Sequence, residues 1–462
     1  MRKGRLGEVR SALALAGCLA LATAMLSAAA LYNRFPLVSY DTGSHISSAA
    51  SGSIYWLRSP IYSYFVLFLD GGGRTLWPVV IAQGLIGAFL IHLVMRVVLR
   101  RAAPGWYLAC VFVLAAATSL PWVNGQIMPD VFAGYVILAT FLLGYGVAGM
   151  TRTEVSIVLA IDTLSIAAHF THVALAAALA IAAVLALVAI RRPKKEWLLA
   201  LARLGLPTVV VVATLVVFQG ATTGQWGFAT APRVLTLARW VADGPANAYL
   251  REACPTRHFA ICDHLDDLSP DPVHFVFGPQ SIVQRLGGPL AAGPEAEAVL
   301  LSTAMRFPLW VAQDVAAQGW TQLWRFETGS SVVPMAAAND NGFAARAIKQ
   351  YVASDYPAYV AARQVTDELH LAPIRTLHRY AAWSSLVLMS PFLITFARRR
   401  DMAMVCLLLV VVLGLAVNAV ICGANSMPVD RFQARVIWLA VFVVLCGVAR
   451  LACRESAGQP PL

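Results

Sequence analysis

The sequence predicts an all-α polytopic membrane protein with about ten transmembrane helices and a mostly helical extracytoplasmic region. Three observations carry that prediction. The 462 residues are 59% hydrophobic and only 13% charged, whereas soluble domains carry roughly a quarter charged residues, and the mean hydropathy is +0.68. Apolar runs near the length needed to cross a hydrocarbon core of about 30 Å recur along the chain. The polar segments between those runs alternate sharply in charge.

Taken in order, the runs lie near 11–31, 77–98, 105–121, 131–150, 154–169, 171–190, 200–219, 379–397, 402–421 and 432–450. The segments MRKGRLGEVR, RVVLRR, MTRTE, RRPKKEW, ARRRD and ARLACRE are basic or mixed, and those between them are poor in Lys and Arg. The positive-inside rule places the basic set, with both termini, in the cytoplasm. The net charge of +11 then belongs to one membrane face and calls for no nucleic acid. MRKGR, an apolar run and SAAA also fit a cleaved secretory signal. The run exceeds a usual signal core, so a retained first helix in a multi-pass inner (plasma) membrane protein is expected.

Three regions follow. Residues 1–220 form an N-terminal bundle of about seven helices, with a first outer loop at 32–76. Residues 221–378 form an extracytoplasmic region, and residues 379–462 the C-terminal transmembrane helices. In the long outer region, CPTRHFAIC brings Cys254 close to Cys262, and an oxidising compartment makes a disulfide reasonable. The segment 294–324 begins with Pro and acids, which suits a helix start, and breaks at Pro308. GPANAYLREAC and NGFAARAIKQYVASDYPAYVAARQ also read as helices. There is no nucleotide-binding glycine loop and no internal repeat.

The first outer loop holds SYDTGSH, whose Asp41-Thr42-Gly43 matches an aspartic protease triplet. That chemistry needs two carboxylates sharing a proton. The chain has no second such triplet, since Glu327-Thr328-Gly329 carries the wrong acid. Asp41 is therefore a lone acid near the outer membrane face, where Asp also serves as a helix N-cap. Arg58-Ser59-Pro60-Ile61-Tyr62-Ser63-Tyr64-Phe65 follows as an aromatic segment expected to lie along the membrane surface, and Gly71-Gly72-Gly73 breaks it.

Other polar residues gather at the same boundary, each with a plainer reading beside it. Arg58 either binds phosphate or snorkels to headgroups. Arg431 and Arg435 are four apart on one helical face, as a phosphate clamp or an interfacial anchor. Asp130 follows Pro129 and equally suits a helix dipole. Tyr62 and Trp122 fit an aromatic belt. His169 and His172 share a face, but two ligands do not make a metal site, and a polar cavity lining is the other reading. Asp162 is an acid within a span.

SPIYSYF after an outer-loop acid, GQIMPD in the second outer loop and DRFQARVIWL entering the last helix resemble the C-type glycosyltransferases. These are polytopic enzymes that take a sugar from a polyprenyl-phosphate donor on the non-cytoplasmic face. The resemblance covers about residues 1–220 and the last helix. The family often shows a carboxylate pair in the first loop, where this chain has Asp41 followed by His45. The resemblance implies an inverting transfer to a lipid, glycan or protein acceptor, with no cofactor indicated. Asp41 and Asp130 would be the catalytic acids. His45, Arg58, Tyr62, Gln126, His169, His172, Arg431 and Arg435 would bind substrate. A carboxylate supplies the base, and Arg matches departing phosphate oxygens. Two rivals stand beside it. One is an O-antigen ligase or polymerase-like enzyme using the late outer loop, with Arg285, Arg306 and His274. The other is a lipid or glycan transporter, which calls for polar or broken helices at mid-membrane.

Overall fold

The computed structural model describes residues 2–52, 55–332 and 342–455. Helices dominate, and no strand occurs among the described residues beyond one isolated bridge, Leu37 to Gln126. Asn341, which opens one of the predicted helices, lies outside the described residues; that helix runs Phe343–Tyr351.

Among the described residues, six helices are long and apolar enough to cross a membrane: Trp77–Leu99, Phe170–Ala189, Lys194–Thr223, Leu371–Arg398, Met402–Asn425 and Arg431–Cys453. The other four predicted runs are helical but shorter. The run at 105–121 is the helix Pro104–Ala117, that at 131–150 is Val131–Gly144, and that at 154–169 is Arg152–Ala167, of 14, 14 and 16 residues. At 1.5 Å per residue these reach roughly 21–24 Å, short of a full hydrocarbon core. The first run is interrupted at Ser27, between Arg2–Leu26 and Ala28–Asn33.

The helix entering at Arg431 is the central pillar. Its apolar window is 78% buried, against 22% for Lys194–Thr223 at the periphery. Residues 234–299 form a separate lobe around Leu237, Leu250, Phe275 and Val299. The lobe contains the Cys254–Cys262 disulfide, with Cα atoms 5.6 Å apart. Its helix Pro289–Arg306 starts five residues before the expected Pro294, which lies inside it. Proline removes one intrahelical donor, and the side chain of Gln225 donates to the Leu290 carbonyl instead, at 3.1 Å. The break at Pro308 is as expected, between Pro289–Arg306 and Pro308–Leu323.

The segments around Leu37, Gly125 and Gln364 are stitched together. The Leu37 amide donates to the Gly125 carbonyl at 2.8 Å, and the Ile127 amide donates to the Leu37 carbonyl at 2.9 Å. Gln364 brackets Val38 from the other side, accepting from its amide at 3.0 Å and donating to its carbonyl at 2.6 Å. Thr42 donates to the Ile127 carbonyl. These bonds hold the segment before Asp41 against the second outer loop.

The aromatic segment is the helix Pro60–Leu69, begun by Ser59, whose hydroxyl accepts from the Ile61 amide, with Pro60 in the first turn. Proline suits that position because its missing N–H has no intrahelical partner there. One face, with Tyr62, Ser63 and Val66, is buried, and Phe68 is 87% exposed. The helix is therefore pinned on one side and bare on the other. Ser59 also donates to the Ala167 carbonyl at 2.5 Å, which fixes the direction from which Arg58 arrives. The three glycines that end it all have positive φ, from +67 to +80, a region that side chains with a Cβ resist. The Asp70 carboxylate accepts from the Gly72 and Gly73 amides at 2.9 Å each.

Candidate functional site

Asp41 occupies the N-cap position of Thr42–Ser51 but makes no side-chain capping bond. Arg58 donates to its Oδ1, and Arg431 Nη1 donates to its Oδ2 at 2.6 Å. Asp130 likewise stands before Val131–Gly144 without capping it. Its Oδ2 accepts from Arg431 Nη2 at 2.8 Å and Nε at 3.2 Å, and its Oδ1 lies 3.4 Å from Arg435 Nη1. The capping reading of Asp41 is thereby replaced, while Asp130 keeps the place before a helix that its dipole reading expected. Their carboxylates belong to one ion network with three arginines, drawn from residues 41–58, from Asp130 before Val131–Gly144, and from the helix that begins at Arg431.

Formal charges make that network net positive by one: three guanidiniums, Arg58, Arg431 and Arg435, against two carboxylates. Burial raises the cost of charge on Asp41, but Arg431 and Arg58 outweigh it and hold the carboxyl below its usual range. His45, one turn on, is pushed down to about 3 by burial, with Arg58 adding to the shift. Its ring is neutral at physiological pH.

A cavity of about 390 Å³ opens beside the network. Asp41, Arg58, His169, Thr171 and Arg431 line its polar end. Phe170, Val173, Ala174 and Ala177 line its flank from one apolar helix, Ile421 from another, and Phe228 and Leu235 from the outer lobe side. Ala177 is seven residues into its helix from Phe170, roughly 10 Å of depth at 1.5 Å per residue. The cavity thus joins a cationic head site to an apolar groove.

The predicted residues sort cleanly by position. His169 lines the cavity, its Nδ1 accepting from the Thr171 amide at 3.2 Å. Gln126 lines a narrow crevice with Asp130 and Arg431, and it accepts from Ser331 at 2.9 Å. Arg435 is 1% exposed and is held by Asn418, Thr171 and Cys422, so it acts on the site through Asp130. Tyr62, His45 and His172 line none of these spaces. Tyr62 is fully buried and donates to Gln83 at 2.8 Å, which corrects its belt reading: it packs in the core. His45 packs edge-on against Tyr62 at 4.8 Å with Nδ1 3.2 Å from Ser63. His172 donates from Nδ1 to the Ser165 carbonyl at 2.7 Å. No group of three or more His, Cys, Asp or Glu side chains poised to hold a metal occurs among the described residues.

The rival late-loop residues do not converge. Arg285 pairs with Asp267, Arg306 with Glu252, and His274 with Asp271, as separate surface pairs. Thr171, Asn418, Phe228 and Phe432 were not singled out as site residues from sequence. Asn418 carried the only hint, as a polar residue within an apolar run. No protein family, curated protein or solved structure matches this chain.

Proposed function

We propose that the protein is an integral membrane glycosyltransferase. It moves a sugar from a polyprenyl-phosphate donor to a cell-envelope acceptor on the extracytoplasmic face. The observation that carries this reading is the cavity that joins Arg58 and Arg431 to an apolar groove, the complement of a ligand with an anionic head and a hydrocarbon tail. Ten membrane crossings with both termini cytoplasmic, in the inner membrane, complete the proposal, supported by the alternation of basic segments.

In the proposed step an acceptor hydroxyl oxygen bonds to the anomeric carbon while the bond from that carbon to the phosphate oxygen breaks, with inversion. The hydroxyl proton passes to the Asp41 carboxylate, and the lipid phosphate leaves with its electron pair. Arg58 and Arg431 receive the phosphate charge, as fixed cations do in a water-poor site. Those arginines are held by Asp41. A bound phosphate competes for them, which frees the carboxylate to accept a proton as the donor docks. Asp130 keeps Arg431 in place meanwhile.

The test is transfer from polyprenyl-phosphate sugars by membranes containing Asp41→Asn. The variant should accumulate normally and lose roughly 10²–10⁴-fold in rate, the usual cost of a missing general base. An abundant variant that is nearly as active would exclude Asp41 as the base. The ligase-like alternative gains no specific support, since Arg285, Arg306 and His274 lie in unconnected surface pairs.

A further inference from the structure

A second cleft, of about 210 Å³, lies apart from the apolar cavity. Its aromatic wall is Trp324 and Trp383, stacked at 5.2 Å and 8°, with Phe326 at 5.6 Å from Trp383. The rest of its lining is polar. Glu327 accepts an ion pair from Arg375 at 3.0 Å and from Arg379 at 3.1 Å. His378 Nδ1 and the Thr328 hydroxyl are 2.9 Å apart, and Asp430 closes the far side.

Three features of this cleft select a ligand chemistry. Its lining charges cancel, two arginines against two carboxylates, so it does not favour an anion as the Asp41 network does. It offers donors and acceptors together, which suits hydroxyl groups that act as both. It also presents indole faces, 38% and 42% exposed for the two Trp residues, against which an apolar C–H face can rest. Aromatics that merely mark a membrane boundary face lipid; these line one cleft with Arg375, Arg379 and Glu327. The volume is below the roughly 300–1,000 Å³ of drug-sized sites and fits a single ring.

The cleft is also joined to the ion network. Thr328 lines both the cleft and the crevice that holds Asp130 and Arg431. The Glu327 amide donates to Asp430 Oδ1 at 2.9 Å, and Asp430 is the neighbour of Arg431. Arg431 in turn lines both the crevice and the apolar cavity. We infer that this cleft is a carbohydrate-binding subsite that takes one uncharged glycosyl unit. Resting on the transferase reading, it holds the acceptor, on the other side of Arg431 in lining order from the donor.

Binding can be read without any transfer. Full-length protein in a sugar-free amine-oxide detergent is exposed to the methyl glycosides of glucose, galactose, mannose and N-acetylglucosamine. Saturation transfer from protein protons to each glycoside is then followed by nuclear magnetic resonance. At least one glycoside should receive transfer, and Trp383→Ala and Arg379→Ala should each weaken it by roughly tenfold, as loss of an anchoring contact does. Arg379 is 57% exposed, so its replacement spares the core if Trp383→Ala fails to fold. Asp41→Asn should bind the glycoside as the wild type does; if it binds but the wild type transfers nothing, the transferase reading fails while the subsite stands. No transfer to any glycoside, or transfer undiminished in Arg379→Ala, overturns the subsite. So does displacement of the glycoside by glycerol phosphate in preference to free sugars, which marks a lipid headgroup site.

Discussion

Asp41 and Arg431 are each bonded to more than one ion partner, so their substitutions separate catalysis from assembly. Arg431 is 18% exposed, and Asp130, which it holds, is 3% exposed. Arg431→Ala leaves Asp130 buried with Arg435 at 3.4 Å as its remaining cation. A fully unpaired buried charge costs about 3–5 kcal/mol; with Arg435 still at 3.4 Å this variant loses part of that, so it should be reduced in membranes on an immunoblot. Arg431→Lys keeps the charge but not the planar fork that reaches two carboxylates at once. It should be present at near-normal abundance with transfer reduced at least tenfold. Protonation supplies a second check. Arg431 and Arg58 hold the Asp41 carboxyl below its usual range. The kcat/KM profile reports the free enzyme, so its acid limb should fall below about 4, the ordinary Asp value. In the donor complex the phosphate draws the arginines away and adds negative charge, both of which raise the Asp41 pKa. The acid limb of kcat should therefore lie at higher pH than that of kcat/KM. Coincident limbs would show that donor binding leaves the Asp41 ion pairs intact.

At the scale of elements, the surface helix Pro308–Leu323 is seated on Met402–Asn425 through two glycines. A Cβ on Gly423 would lie 2.5 Å from the Gln318 carbonyl oxygen, and one on Gly319 would lie 2.9 Å from Val420. Small residues permit this approach of one helix backbone to another. The contact places Gln322, which donates to the Val429 carbonyl and accepts from the Val429 amide at 2.9 Å each, and so fixes the turn that delivers Asp430 and Arg431. Gly423→Ala meets backbone rather than a flexible side chain. An overpacking cost of about 1–3 kcal/mol should appear as a lowered thermal midpoint of the purified protein, with transfer reduced as Arg431 shifts. An unchanged midpoint would mean that the two helices part easily and that Gln322 does not hold the turn.

For the whole molecule, the proposed orientation rests on charge alternation. Reporter fusions after Gly287 and after Arg399 should report opposite sides, the first outside. A cytoplasmic signal at Gly287 would place the cavity mouth on the wrong face for a lipid-linked donor of this kind and would remove the transferase proposal with it. The short helices Pro104–Ala117, Val131–Gly144 and Arg152–Ala167 bear on the same question. Val131–Gly144 is buried almost throughout and is shielded by its neighbours, so it need not match the lipid thickness along its own length.

The helical class, the positions of the apolar runs, the breaks at Gly71–Gly73 and Pro308, and the proximity of Cys254 to Cys262 were all legible in the sequence. Each depends on local physics: hydropathy over one helix length, a positive φ that only Gly tolerates readily, a missing amide, a short spacing. The acids and arginines of the site were legible as residue types at the outer boundary, but their partners were not. Asp41 and Arg431 are 390 positions apart, and each had a sound local explanation as a cap or an anchor. Only the tertiary structure decided between these, by bridging Leu37 to the second outer loop and bracketing Val38 with Gln364. That stitching turns the Asp41 carboxylate away from its own helix and toward Arg58 and Arg431. The same folding withdrew Tyr62 into the core, because a tyrosine whose hydroxyl reaches Gln83 has no need of the membrane surface its neighbours in sequence suggested. It also assembled the Trp324–Trp383 cleft from segments that no local pattern relates, since a cavity is a property of how helices pack rather than of any one of them.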